Sequence, residues 1–360
     1  MRKKLTSLLL MTAMAAMMSG CNGQEQEVNN SDVVLEQEED VIESDNLANV
    51  DDENKTEKIG NVQSEQIENV EENQTGFGFA DLKNIQFTFS SGAGAWSTEL
   101  YIHEDGRFEG LYSDSDMGSS GEGYPNGTRY FCQFTGQFDK PVKVNEYTYS
   151  LLIEELEYAH EVGKEEILDE VLYVYSEAYG LYGTKEMLLY LPGAPVDELS
   201  EGFMSWVRNS YYYEVKGGVS TELPAFGLYN EAEECGFSSY NIKESVETIV
   251  TFTKERAAEL EYSIQNDDMP QIEYNEKARQ LYDMWDMDLN TIWSDLKLVL
   301  NEEEMEKLLE EQREWIAWKE EEIKKAGAEY EGGSMQPMVM HLKGAELTEI
   351  RVYELLEYLG

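Results

Sequence analysis

The chain contains few cysteines, few histidines and few basic residues. Its 360 residues include three cysteines, three histidines and 27 lysines and arginines, against 74 aspartates and glutamates, for a formal net charge of −47. Nucleic-acid binding requires a basic surface, so this balance excludes nucleic acid as a ligand class. A thiolate metal site needs more cysteines than the chain offers, and we expect no cofactor.

What the chain has is enough apolar material to fold. Hydrophobic residues make up 41% of the sequence and aromatic residues 11%, which is sufficient for buried cores. A length of 360 residues predicts two folded units with appendages. The acidic excess is typical of a soluble surface and also allows attraction to a cationic protein.

Residues 1–20 have the pattern of an export signal. Arg2, Lys3 and Lys4 precede an apolar stretch over residues 5–18. The following Met18-Ser19-Gly20-Cys21 resembles a bacterial lipobox, in which the cysteine sulfur receives a lipid. We expect a lipoprotein anchored through Cys21 to the outer face of the bacterial cell membrane. Ordinary secretion, with cleavage near residues 13–15, is the alternative.

Residues 21–75 have the composition of a disordered tether. Glu, Asp, Asn and Gln dominate this segment, and it lacks proline and aromatic residues. Repulsion between its carboxylates favours an expanded chain.

Residues 76–240 contain short aromatic and β-branched runs separated by turn signals. Asp105-Gly106 between two alternating runs predicts a β-hairpin. Strands are predicted at residues 85–91, 98–112, 130–134, 147–153, 172–175 and 187–191, with a docked helix at 196–208. This spacing predicts an antiparallel β-rich barrel or sandwich. Cys132 and Cys235 form either a disulfide or two buried free thiols.

The remainder is predicted to be helical, with a connector over residues 241–273 and a helical hairpin or three-helix domain over 274–360. Asn301 and Glu304 have the spacing of a capping box. Apolar residues at intervals of three and four then predict that Trp315 and Ile316 fill a core and that Trp318 is half exposed or lies on the β-rich domain. The expected fold class is therefore α+β.

Four motifs in the last quarter carry a family resemblance. They are Leu289-Asn290 with Trp293 and Leu296, Gln312-x-x-Trp315-Ile316-x-x-Lys319, Gly333-Ser334-Met335-x-Pro337-Met338, and Leu347-Thr348-x-x-Arg351 with Leu355. In order and spacing, residues 275–358 resemble the lysozyme-inhibitor LprI-like N-terminal domain. Many members carry cysteines near the positions of Ile323 and Lys343, and an arginine where Lys319 stands.

The resemblance implies a non-catalytic protein that binds another protein, with lysozyme or a similar cationic wall hydrolase as the candidate partner. The candidate partner-binding or fold-defining residues are Asn290, Gln312, Trp315, Trp318, Lys319, Met335, Met338, Thr348 and Arg351.

Other chemistry has weaker support in the sequence. His103, His160 and His341 lie in different segments and adjoin no nucleophile motif, so we predict no enzyme. Asp114, Asp116 and Glu122 depart from a calcium-loop pattern, and a polar loop is favoured. An alternative function is glycan or cell-wall binding by a platform of aromatic residues in the β-rich region, from Trp96, Tyr101, Phe108, Tyr112, Tyr124, Tyr130 and Phe131.

Overall fold

The structure, a computed structural model, describes residues 76–92, 94–212 and 221–360. The predicted signal peptide, the lipobox at Cys21 and the tether lie outside the described residues. None of the described helices is both long and apolar enough to cross a membrane.

Eleven strands form one sheet in the described part of the chain. They are β1 (Ile85–Ser90), β2 (Trp96–Ile102), β3 (Arg107–Asp116), β4 (Thr128–Phe138), β5 (Val142–Lys143), β6 (Thr148–Tyr158), β7 (Glu165–Leu168), β8 (Val171–Tyr175), β9 (Glu186–Tyr190), β10 (Gly227–Asn230) and β11 (Cys235–Asn241).

Eight of these strands close into an antiparallel barrel. Their order is β6-β9-β10-β11-β1-β2-β3-β4, and the pairing of β4 with β6 completes the ring. Closure leaves no unpaired edge among these eight strands. Outside the ring, β5 pairs with β6, β8 runs parallel to β4, and β7 pairs with β8. The predicted barrel is thus confirmed.

Phenylalanine rings fill the barrel interior. Phe87, Phe89, Phe108 and Phe134 are almost fully buried, and the Phe108 and Phe138 ring centroids lie 4.5 Å apart. The sheet makes room for them with glycine: a Cβ at Gly136 would lie 2.2 Å from the Phe108 ring. The interior is therefore a packed core.

The predicted hairpin is present between β2 and β3. Gly106 adopts φ +83°, and a Cβ there would lie 2.6 Å from the Phe79 ring, so the turn requires glycine for both reasons. Helix α1 (Glu201–Tyr212) follows a short 3-10 turn at Val196–Glu198 and packs on the barrel through Phe203.

Four helices follow the barrel: α2 (Ile242–Asn266), α3 (Gln271–Val299), α4 (Glu302–Ala328) and α5 (Gln336–Leu356). They share a core that includes Trp285, Leu289, Leu308 and Leu355. The helical C-terminal region is thereby confirmed, and α4 begins at the predicted capping box, in which Asn301 Oδ1 accepts from the Glu304 amide at 3.0 Å.

Candidate partner-binding site in the helical region

Helix α4 buries two polar side chains in the middle of its inward face. Gln312 is 4% exposed and Lys319 is 8% exposed, and they lie between the buried residues Leu308 and Gly327. Glycine at 327 lets α4 approach α5 closely, because a Cβ there would lie 2.6 Å from Met340 Cγ. Polar groups in such a narrow contact require partners.

Arg351 on α5 supplies the partner for Gln312. Its Nε donates to Gln312 Oε1 at 2.9 Å, and its Nη1 donates to Glu311 at 2.6 Å and to Glu354 at 2.8 Å. The guanidinium also lies 5.8 Å from the Trp315 ring centroid. Two motifs of the family resemblance are thus joined by one buried arginine, which fixes the relative position of α4 and α5.

Lys319 joins α4 to α3. Its Nζ donates to the Tyr282 hydroxyl at 3.1 Å, lies 3.8 Å from Asp286 Oδ1, and stands 4.9 Å from the Trp315 ring centroid. Lys319 therefore has a hydroxyl group, a carboxylate and an aromatic face as neighbours.

The other polar motif residues differ in environment. Thr348 is fully buried, and its Oγ1 has no hydrogen-bond partner among the described residues. Asn290 is exposed and donates to the Asp286 carbonyl at 2.7 Å, within its own helix.

Sequence reasoning missed Asp288, a buried carboxyl group on α3. It is 3% exposed, and burial raises its pKa against a lowering contribution from a hydrogen bond with Thr253. Its spacing of three from Trp285 and four from Ile292 places it on the buried face. Helical periodicity was therefore a signal that could have identified it.

Trp315 and Ile316 are less buried than the sequence predicted, whereas Trp318 is half exposed as expected. Trp315 is half-buried against the helical core, whereas Ile316 is 40% exposed. The expectation that Ile316 fills the core was wrong, because Leu308, Gln312 and Lys319 occupy the narrow buried strip and Ile316 lies at its edge. Trp318 is 47% exposed.

The loop methionines are also separated by environment. Met335, just before α5, is 41% exposed. Met338 is half-buried, and its Sδ accepts from Gln271 Nε2 at 3.7 Å. Met335 is thus the one of the two that is open to a partner.

The outer face of α4 is strongly acidic. The helix contains ten glutamates against five lysines and arginines. Glu310, Glu314, Glu320 and Glu321 are exposed and make no ion pair within the described residues. Glu314, Glu321 and Glu322 stand one turn from Trp318, so an exposed indole lies among carboxylates. Such a surface favours a lysine- or arginine-bearing partner.

A cleft of about 950 Å³ lies where the β2–β3 hairpin meets the start of α4. Its lining includes Arg107 and His103, which already face Asp105 at 2.7 Å and Glu109 at 3.1 Å. Lys83 and Lys297 also line the cleft, so a cationic partner would meet positive charge among its carboxylates.

His160, Cys132 and Cys235 of the barrel are held by packing. His160 stacks on Tyr175 with centroids 3.9 Å apart. Cys132 and Cys235 are buried free thiols, and burial raises their pKa to about 12 and about 11. Both thiols therefore stay protonated at neutral pH.

Of the acids weighed for calcium, Asp116 stabilises a polar turn. Asp116 accepts from the amides of Gly118 and Ser119. Across the described residues, no group of three or more His, Cys, Asp or Glu side chains has an arrangement suited to a metal ion.

The seven aromatic residues named for a glycan platform lie in different environments. Tyr101 and Phe108 are buried, and Phe131 packs against Tyr173 at a centroid distance of 5.9 Å. Trp96 and Tyr112 meet at one end of the barrel through Tyr179. Glycan binding remains a prediction.

The helical region is similar to a known protein family. The family model of the lysozyme inhibitor LprI matches residues 264–355. The predicted resemblance is confirmed. The LprI match begins at the end of α2, covers α3 and α4, and reaches the last turn of α5. It includes every candidate partner-binding residue and leaves the barrel outside. No curated protein and no solved structure matches the chain.

Proposed function

We propose that the chain is a non-catalytic cell-surface protein whose LprI region binds and inhibits a cationic wall hydrolase of the lysozyme type. The family match over residues 264–355 carries this proposal, because that family is described by lysozyme inhibition. The net charge of −47 supports it, since an acidic surface steers a cationic partner and speeds its association.

The α4 face around Trp318 is the proposed contact surface. An exposed tryptophan is a frequent interface hot spot, and the surrounding glutamates supply charge complementary to a basic protein. Met335 adds a second exposed apolar contact at the start of α5. Arg351 and Lys319 support the surface from within by fixing α4 against its neighbours.

The test mixes the protein from Asn22 onward with lysozyme at about 150 mM salt, where charges are screened beyond about 8 Å. We expect saturable binding and a lower muramidase rate. Trp318→Ala should weaken binding by about tenfold or more. Tyr262→Ala is the matched control, because Tyr262 is an exposed aromatic residue on α2 outside the matched range. No binding with an unchanged muramidase rate rejects the lysozyme assignment, and equal effects of both substitutions reject the α4 surface.

The proposal places the protein on the membrane through a lipid on Cys21. The lipobox-like Met18-Ser19-Gly20-Cys21 supports this location, and two or three acyl chains give a stable anchor. The test expresses the full chain and Cys21→Ser in a bacterium. The parent should fractionate with membranes and the variant should not. Equal fractionation of both would remove the lipid anchor and leave the inhibitor assignment standing.

A further inference from the structure

Half-buried aromatic rings surround Phe89 at the barrel end that carries the β1–β2 and β10–β11 turns. The Phe89 ring lies 4.9 Å from Trp96, 5.1 Å from Tyr179 and 4.8 Å from Trp206, centroid to centroid. Tyr179 in turn lies 5.7 Å from Tyr112. Unlike Phe89, which is fully buried, the surrounding rings are partly open to solvent.

The strand register adds a carboxylate to this end of the barrel. Trp96, Asp114 and Tyr130 are opposite one another on β2, β3 and β4, so their side chains project from the same face of the sheet. Tyr130 is 38% exposed. Asp114 therefore lies between two aromatic residues at an open rim.

The loop that contributes Tyr179 and Tyr182 is held rigidly. Thr98 Oγ1 donates to the Tyr179 carbonyl at 2.7 Å, and Asn230 Nδ2 donates to the carbonyls of Gly180 and Tyr182. Gly180 has φ +94°, and a Cβ there would lie 2.8 Å from the rings of Phe89 and Phe237. Because the backbone is fixed from two strands, the rings keep their arrangement without a ligand.

Acidic side chains act on two of the phenols at this end. Burial, followed by Asp114 and then neighbouring tyrosines, raises the pKa of Tyr112 to about 12. Burial, then Glu233, Cys235 and Glu177, raises the pKa of Tyr182. Carboxylates thus act on both phenols, and both hydroxyl groups stay protonated at neutral pH.

We propose that this aromatic mouth, formed by Trp96, Tyr112, Tyr130, Tyr179, Tyr182 and Trp206, binds an organic ammonium group, with Asp114, Glu177 and Glu233 balancing its charge. Electron-rich ring faces attract an ammonium group, and tryptophan and tyrosine do so best when the site is partly desolvated. A neutral sugar also stacks on aromatic rings, but it carries no charge for the surrounding carboxylates to balance. The site is separate from the LprI region.

The ammonium group has two sources, a small quaternary amine or the side chain of a lysine in another protein. The test uses the full chain in a nonionic detergent and follows tryptophan fluorescence. One arm compares choline with 3,3-dimethylbutan-1-ol, its neutral isostere. The other compares a lysine-containing peptide with the same peptide acetylated at that lysine.

We expect the charged member of at least one pair to bind about tenfold or more tightly than its neutral counterpart. Preference for choline identifies a small amine as the ligand, and preference confined to the peptide identifies a protein lysine. Equal binding within both pairs, or no binding in either, overturns the proposal.

Substitutions locate the binding. Tyr112→Leu removes a ring and should weaken binding by about fivefold, whereas Tyr112→Phe keeps the ring and should bind like the parent. Asp114→Asn, a second and less disruptive change, should weaken binding about threefold at low salt and less at high salt. Tyr262→Leu on α2 is the control. Unchanged binding in both Tyr112→Leu and Asp114→Asn places the ligand elsewhere and overturns the proposal.

Discussion

Arg351 and Arg279 each face two carboxylates, but they differ in how far their side chains are buried. The Arg351 side chain is 4% exposed and also donates to buried Gln312, whereas that of Arg279, paired with Glu276 and Asp283, is 48% exposed. Arg351→Met should lower the free energy of unfolding by about 2–4 kcal/mol, because it leaves the Gln312 oxygen buried without its donor. Arg279→Met should lower it much less, because solvent screens the exposed ion pairs of Arg279.

Urea unfolding followed by far-UV circular dichroism measures both variants. Equal losses for the two arginines would contradict a structural role for the buried network. The same experiment bears on the binding surface, because α4 is positioned against α5 through Arg351. If Arg351→Met loses lysozyme binding although its unfolding midpoint shows that it is folded under the assay conditions, the loss is attributed to a shifted α4.

At the level of elements, α4 depends on its first turn. The Asn301 side chain accepts from the Glu304 amide at 3.0 Å, and the Glu304 carboxylate accepts from the Asn301 amide at 3.2 Å. Asn301→Ala should destabilise the protein by about 1 kcal/mol. Asn290→Ala, the same substitution within α3, should cost nothing or stabilise slightly, because alanine has the higher helix propensity. Thermal unfolding compares the two, and an equal cost at both sites would contradict the capping role.

Local signals in the sequence located α4 and the β2–β3 hairpin, because a capping box and an Asp-Gly turn act within a few residues. They did not reveal β10 and β11. These strands contain Gly227 and Gly236, where a Cβ would lie 2.3 Å from the Phe203 ring and 2.9 Å from its carbonyl oxygen. Both positions require glycine because α1 packs closely against these strands. Glycine has a low strand propensity, so the local sequence does not predict a strand there.

The same limit applied to the candidate site. Helical spacing placed Gln312, Trp315 and Lys319 on one face of α4, and the structure has them there. Spacing did not predict that Ile316 is exposed, because burial depends on which neighbour covers each edge of the face. The sequence did not predict the aromatic mouth either. Its rings come from residues far apart in the chain, Trp96, Tyr179 and Trp206, which meet only in the folded protein.

In the whole molecule, the barrel and the helices are joined by both apolar and polar contacts. Tyr101 projects from β2 into the helical core. Asn84, just before β1, donates to the Leu359 carbonyl at 2.7 Å, which ties the last turn of the chain to the first strand. Glu99 on β2 and Asp295 on α3 face each other across the same junction. Two carboxylates at a partly buried contact make this junction sensitive to pH.

The direction of this pH dependence follows from the two acids. Burial, then the charge of Glu99, raises the pKa of Asp295 from 3.8 to about 6, and burial raises the pKa of Glu99. At pH values between 3.8 and about 6, the Asp295 carboxyl group is therefore protonated more often in the folded protein than in the unfolded chain. The contribution of Asp295 to stability is therefore greatest near pH 4 and is lost as the pH rises through about 6.

Asp295→Asn should accordingly raise the free energy of unfolding at pH 7.5 and have little effect near pH 4. Asp283→Asn is the matched control, because that carboxylate is exposed on the same helix and paired with Arg279. Urea titrations at pH 4, 5, 6 and 7.5 give the difference between each variant and the parent. A difference for Asp295→Asn that stays constant across this range would contradict a protonated junction, whereas a difference that grows between pH 4 and 7 would support it.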